Sequence, residues 1–274
     1  MTITVFGLGF VGLTTSLGFA EYGHKVYGVE IDEGRLNTIR SGKLPFLEEG
    51  LDEALSRHLN HGFTPIGTDS LSAAVAESDC VYYCVGTPYG KDGQADLTYL
   101  FSAIDQTLAV RPADRYQVLV VKSTVPPSTT ASKVIPHLEA QGLRVGVDVG
   151  VANNPEFLRE GHCWDDFMNA DRIVLGVSDE RSAAVLRSVY ASVSVPVHCV
   201  SLNTGEFIKY LSTNTDATVY VNPLPAGLVL TGIVVSVSVT ALMLALTVRL
   251  YRHYHSLDLD KIYEMAAKED QNEK

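Results

Sequence analysis

The chain has 274 residues, 46% of them hydrophobic and 19% charged, and its 21 Lys and Arg against 32 Asp and Glu give a formal net charge of -11. That composition excludes a disordered chain, and the length suffices for one large domain or two smaller ones of roughly 100 to 200 residues each. An acidic chain without a run of Lys or Arg repels phosphate backbones, which argues against nucleic acid as a partner and requires any anionic ligand to be held by local features.

Residues 2–6 form a β-branched run that ends in glycines, and residues 11–21 follow with helical apolar spacing, so the chain opens as strand, turn, helix. No charged n-region or small-residue cleavage site precedes the strand, which predicts no secretory signal. Residues 25–30 read as a second strand and 33–40 as a helix that stops near Ser41-Gly42. Three apolar runs, 80–85, 117–121 and 145–151, read as buried strands; helical stretches lie around Ala73, over 97–108 and over 128–135. Strand candidates at 172–176 and 195–200 flank a helix at 180–190. Strands alternating with helices predict an α/β fold, a Rossmann-like doubly wound parallel sheet covered on both faces and followed by a helical segment. The boundary is expected near Leu202: a Rossmann-like domain over 1–202, then a central helical region, truncated or altered, over 203–274.

In that second part a helix starts near Glu206, and an amphipathic segment at 257–269 ends in a charged tail. Between them, residues 226–248 carry no charge, and about 23 such residues are enough to cross a bilayer. Arg249 and Arg252 would suit a cytoplasmic flank. Pro223 and Pro225 at the start, Gly227 and Gly232 inside, and the strand-period Val/Ser alternation of 235–239 speak against a spanning helix. Membrane contact through 226–248, a buried helix of a homodimer and a locally altered reading frame all stay open. The four cysteines, Cys80, Cys84, Cys163 and Cys199, show neither metal-ligand spacing nor a paired framework, which predicts no metal site and a reducing compartment, the cytoplasm.

Gly7-Leu8-Gly9-Phe10-Val11-Gly12 matches G-x-G-x-x-G between a strand and a helix. The first glycine permits a tight turn, the second lets backbone approach a pyrophosphate, and the third lets helix and strand pack closely. The helix N-terminus offers unbonded N–H groups and a positive dipole end. Glu30, roughly 20 residues on at the end of the next strand, is placed to accept hydrogen bonds from a ribose diol, which favours NAD over NADP. Capping of the next helix by Glu30 and Asp32 is the alternative role for these acids.

Four further segments follow in order: Cys84-Val85-Gly86-Thr87-Pro88, Lys122-Ser123-Thr124-Val125-Pro126-Pro127, Asn154-Pro155-Glu156-Phe157-Leu158-Arg159-Glu160-Gly161 and Glu206-Phe207-Ile208-Lys209-Tyr210. The first three close or follow buried strands, where ligands bind in a doubly wound sheet. With the glycine loop and Glu30, the set resembles the UDP-glucose/GDP-mannose dehydrogenase family over 1–210. Two further stretches agree, Leu44-Pro45-Phe46-Leu47-Glu48-Glu49-Gly50-Leu51 and Asp92-Gly93-Gln94-Ala95-Asp96-Leu97.

The resemblance implies NAD-dependent oxidation of the C6 alcohol of a nucleotide sugar, UDP-glucose or GDP-mannose, towards the uronate. It places Gly7, Gly9, Phe10, Val11, Gly12, Glu30, Arg35, Thr87 and Thr124 around NAD. It places Glu156, Phe157, Leu158, Arg159 and Glu160 along the sugar, with Lys209 opposite the developing oxyanion and Glu160 holding or activating the hydrolytic water. Catalysis would then rest on Lys209, Glu160, Thr124 and Asn214. Two departures qualify this. The family has Asn four residues after the lysine, where Thr213 stands here, and on a helix the one-place offset of Asn214 turns its side chain by about 100 degrees. The family's nucleophilic cysteine lies in a glycine-rich loop beyond its linker helix, and the sequence has no such loop; Cys163 is the one cysteine beside a site motif and matches a nucleophile poorly. The competing expectation is therefore a protein that binds NAD or a nucleotide sugar without turnover.

Overall fold

The computed structural model describes residues 1–90 and 93–212. Asn214, the uncharged block at 226–248 and the segment at 257–269 lie outside the described residues, and with them the membrane and homodimer readings. No helix among the described residues is long and apolar enough to cross a membrane.

The strands are β1 (Thr2–Phe6), β2 (Lys25–Val29), β3 (Phe63–Ile66), β4 (Cys80–Tyr83), β5 (Val118–Val121), β6 (Gly150–Asn153), β7 (Ile173–Val177) and β8 (Val197–Ser201). They form one eight-stranded sheet in the order β3-β2-β1-β4-β5-β6-β7-β8. The order runs outward from β1 to β3 and then crosses back to β4, so the switch point of the doubly wound sheet falls between β1 and β4. The helices are α1 (Phe10–Glu21), α2 (Glu33–Arg40), α3 (Leu51–His58), α4 (Leu71–Glu77), α5 (Thr98–Val110), α6 (Ile135–Ala140), α7 (Cys163–Met168), α8 (Glu180–Val189) and α9 (Leu202–Ser212), with a π-helical turn, Thr130–Val134, before α6.

Every residue of β4 and β5 is buried, as expected of central strands covered on both faces. Side chains alternate between two cores. Val118 and Val120 join Ile3, Val5, Leu17 and Phe19 on one face, while Leu119 and Val121 join Phe6, Tyr83, Leu100 and Ile104 on the other. That is the period of two of a strand. On the first face α1 crosses α7 so closely that a Cβ on Gly18 would lie 2.0 Å from the Phe167 ring.

The structure departs from the sequence reading in three places. The sheet is not wholly parallel, because β6 and β7 pair antiparallel. The strand expected at 145–151 begins only at Gly150, because Arg144 and Asp148 close a turn with a 2.7 Å ion pair, Gly146 takes φ +82, and Val147 is 54% exposed. Residues 51–58 and 63–66, where the sequence pattern predicts no element, form α3 and β3. The latter contains Pro65, which weakens its strand signal and is tolerated because β3 is an edge.

Candidate dinucleotide and substrate site

The glycine loop connects β1 to α1. Gly7 has φ +84, and its N–H donates to Val29 O at 2.9 Å, locking the turn to β2. A Cβ on Gly12 would stand 1.7 Å from Gly7 O, so the third glycine lets the helix rest directly on the loop. At Gly9 the same construction meets nothing within 4 Å. The second glycine thus borders open space, as close backbone approach by a ligand demands. Gly9 starts α1 without a side-chain cap, which leaves the helix N–H groups for an anion. Phe10 is 38% exposed and Val11 partly buried in that first turn.

Glu30 is 4% exposed just beyond β2. Its Oε2 accepts from Leu8 N at 3.0 Å and Arg35 Nη1 at 3.1 Å, and its Oε1 from Ile31 N at 2.8 Å and Asp32 N at 2.9 Å. One carboxylate therefore ties the glycine loop to the start of α2. Asp32 caps α2, accepting from Arg35 N at 2.7 Å; the capping role belongs to Asp32 and the loop-binding role to Glu30. An open second glycine, an uncapped helix start and an acid at the end of β2 fit the adenosine half of NAD.

Next to it, the loops after β4 and β5 are tied together. Thr87 Oγ1 donates to Thr124 O at 2.6 Å, and Ser123 Oγ to Val85 O at 2.6 Å. Gly86 between them would meet nothing within 4 Å if it carried a Cβ. Lys122, directly after the apolar run of β5, is buried, with Nζ 3.0 Å from Asn154 Oδ1, which also accepts from Tyr190 OH at 2.6 Å. Burial holds the Lys122 ammonium below the usual lysine range, while the nearby Cys84 and Glu156 oppose that shift.

Lys209 comes from α9. Its Nζ donates to Glu156 Oε1 and to Glu156 O, both at 2.6 Å, and the two side chains are only 14% and 10% exposed. The second Glu156 oxygen accepts from Leu158 N at 2.7 Å, and the ammonium lies 5.9 Å from the centre of the Phe157 ring. Lys209, Lys122, Thr124 and Asn153 line one narrow cleft. Three residues before Lys209, Glu206 is buried, and its Oε1 accepts from Thr130 N at 2.8 Å and Thr130 Oγ1 at 2.5 Å. Burial raises its pKa, and the bonds from Thr130 counter that. Lys122, Asn154 and Glu206 open three of the motif segments without a role of their own in the sequence reading, and Asn153 lies just before one of them; the signal for all four is a polar residue at the end of an apolar run or the start of a helix.

Pro155 also lines this cleft, whereas Arg159 and Glu160, beyond Leu158, are exposed. Arg159 forms a bidentate pair with Asp166, Nη2 to Oδ1 at 2.6 Å and Nε to Oδ2 at 3.1 Å, and Glu160 is exposed. Gly161, at φ +85, sharpens the turn, and buried Glu48 clamps it by accepting from Gly161 N at 3.0 Å and from Cys163 N. Glu156 and Phe157, rather than Arg159 and Glu160, are thus the members brought to Lys209. Leu158 is partly buried against the core.

Cys163 Sγ donates to Arg159 O at 3.2 Å. Burial, with the charge of Glu48 beside it, pushes its thiol up to about 12, and burial does the same to Cys84. At pH 8 a thiol with pKa near 12 is thiolate in only about one molecule in ten thousand. Iodoacetamide at pH 8, read by peptide mass spectrometry, is therefore expected to label Cys84 and Cys163 at least about tenfold more slowly than a free cysteine.

The sequence model for the NAD binding domain of the UDP-glucose/GDP-mannose dehydrogenase family matches residues 1–194. A second, for NADH-ubiquinone/plastoquinone oxidoreductase chain 4L, matches residues 172–266; its described part, 172–212, contains the strands β7 and β8 and the helices α8 and α9. The UDP-glucose 6-dehydrogenase of Rhizobium meliloti is 39% identical over 218 residues, covering 77% of this chain and 48% of that protein. A ternary complex of GDP-mannose dehydrogenase from Pseudomonas aeruginosa superposes with TM-score 0.73 at 34% identity, covering 79% of this chain and 50% of that one. A UDP-glucose dehydrogenase from Pyrobaculum islandicum gives TM-score 0.70 at 39% identity, over 77% and 48%. The chain spans about half the length of these relatives.

Proposed function

Since the chain belongs to the UDP-glucose/GDP-mannose dehydrogenase family and carries its NAD-binding domain, we propose that it is the cofactor-binding part of a cytoplasmic nucleotide-sugar 6-dehydrogenase, acting on UDP-glucose or GDP-mannose. The observation that carries this reading is the Lys209 ammonium held at 2.6 Å by two oxygens of Glu156 in a cleft shared with Thr124. NAD, when bound, supplies the hydride acceptor. Glycines 7, 9 and 12 and the first turn of α1 bind its pyrophosphate, Glu30 binds its adenosine ribose, and Thr87 and Thr124 border it beyond β4 and β5.

Lys209 stabilises negative charge on the sugar oxygen as the C6 hydroxyl proton passes to a water held beside Glu156, ahead of hydride loss from the carbon, and an ammonium mostly shielded from solvent acts more strongly there than in bulk water. Glu156 fixes the ammonium's position, and Phe157 covers one side of it. The role of holding water falls to Glu156 in preference to exposed Glu160. Four free cysteines, Cys80, Cys84, Cys163 and Cys199, support a reducing compartment.

Incubating the purified chain with NAD and each nucleotide sugar is expected to produce NADH, followed by its absorbance. NAD binding without NADH from either sugar would replace the enzyme by a protein that binds NAD or a nucleotide sugar without turnover.

A further inference from the structure

Lys122 follows β5 and is 4% exposed, with Nζ 3.0 Å from Asn154 Oδ1 and 3.5 Å from Asn154 O. Among the described residues it closes no ion pair, and the ionisable groups around it are Cys84, Glu156 and Lys209. Taking an ammonium out of water without a carboxylate costs stability, and an apolar side chain of similar length would fill the space at less cost. Asn154 does not depend on the lysine for its own partners. Its N–H donates to Val121 O at 2.9 Å, its Nδ2 to Val174 O at 2.9 Å, and its Oδ1 also accepts from Tyr190 OH at 2.6 Å. What the ammonium adds is a hold on the oxygens of one residue, just where the chain leaves β6. Pro155 comes next, and its fixed φ stiffens the two-residue step to Glu156. Glu156 O and Oε1 then hold Lys209 Nζ.

We propose that Lys122 is a positioning residue of the reaction cleft: by anchoring Asn154 it keeps Glu156 in place against Lys209, a role in function and not in stability. The inference rests on the dehydrogenase reading of the cleft. In this role Lys122 touches neither sugar nor cofactor; it acts through Glu156, whose bonds to Lys209 cross from the loop after β6 to α9.

The test joins melts and kinetics on the full chain. Lys122→Met is expected to leave Tm within about 4 °C of the wild type, or above it. In denaturant melts the coupling between Lys209→Met and Glu156→Gln should fall by at least half once residue 122 is changed, because Glu156 is no longer held to meet the lysine. With NAD and the nucleotide sugar that the wild type turns over, kcat should fall by about tenfold or more. KM for NAD should stay within about threefold, since Thr87 and Ser123 tie the cofactor loops independently of Lys122. In the Glu156→Gln background the same substitution should lower kcat by less than about threefold. A Tm loss beyond about 4 °C, failure to fold included, would make Lys122 a structural brace and overturn the proposal. Unchanged coupling, or a kcat loss of equal size in both backgrounds, would overturn it too. A wild type that makes no NADH overturns the dehydrogenase reading alone, and the coupling read in melts still decides whether Lys122 holds Glu156.

Discussion

Gly12→Ala is expected to abolish measurable NAD binding and to destabilise the chain by about 2–4 kcal/mol, lowering Tm by roughly 4–12 °C. The added methyl would lie 1.7 Å from Gly7 O, 2.9 Å from Gly7 C and 3.1 Å from Cys84 Cβ. No rotamer relieves a clash with backbone, so α1 must lift from the loop or the turn must open. The turn has nowhere to go: Gly7 N is bonded to Val29 O, and a Cβ on Gly7 itself would already be 2.9 Å from Cys84 O. Gly9→Ala provides the contrast. Its methyl meets nothing within 4 Å, so the melt should move by less than about 2 °C while NAD affinity falls about tenfold or more, because the methyl enters space the pyrophosphate needs. Calorimetric titration and thermal melts on the two variants check both halves; Gly12→Ala with wild-type NAD affinity would overturn the account of the loop.

Lys209→Met should remove NADH formation by about 100-fold or more and destabilise the chain by about 2–3 kcal/mol. The stability loss follows from Glu156, which keeps only the bond from Leu158 N and stays nine-tenths buried once its cation is gone. Glu156→Gln should cost less, about 1–2 kcal/mol, since the amide oxygen still accepts from the ammonium. In the double variant no buried charge is left without its counterpart, so its loss should fall short of the sum of the singles by about 1–3 kcal/mol. Denaturant melts of the four proteins measure this coupling directly. Strict additivity would mean that the 2.6 Å contact contributes nothing in solution.

The loop prediction draws on features visible in the sequence; for the lysine prediction the resemblance points to Lys209 and Glu156, and only the structure brings them into contact. Gly7, Gly9, Gly12 and Glu30 were legible because the loop's demands are local: a positive φ, a helix start without a cap and an acid at the end of the next strand follow one another within one β-α-β unit. The buried strands β4 and β5 were legible as short apolar runs, whereas β3 was hidden by its proline and α3 by its eight-residue length. The turn at 144–148 misled because Val145 and Val147 alternate like a strand while an ion pair closes the backbone around them.

From the sequence alone came the fold class, the dinucleotide loop and its preference for NAD, and the resemblance that the family match later established. Only the tertiary structure decided which members of each motif meet. Lys209 joins Glu156 across 53 residues, Thr130 joins Glu206 across 76, and Glu48 holds Cys163 across 115. Hydrophobic periodicity says which face of an element is buried, yet it carries no information on what lies opposite. That pairing depends on strand order and on how closely helices approach the sheet, and it turned Glu156 toward the lysine and Glu160 toward solvent.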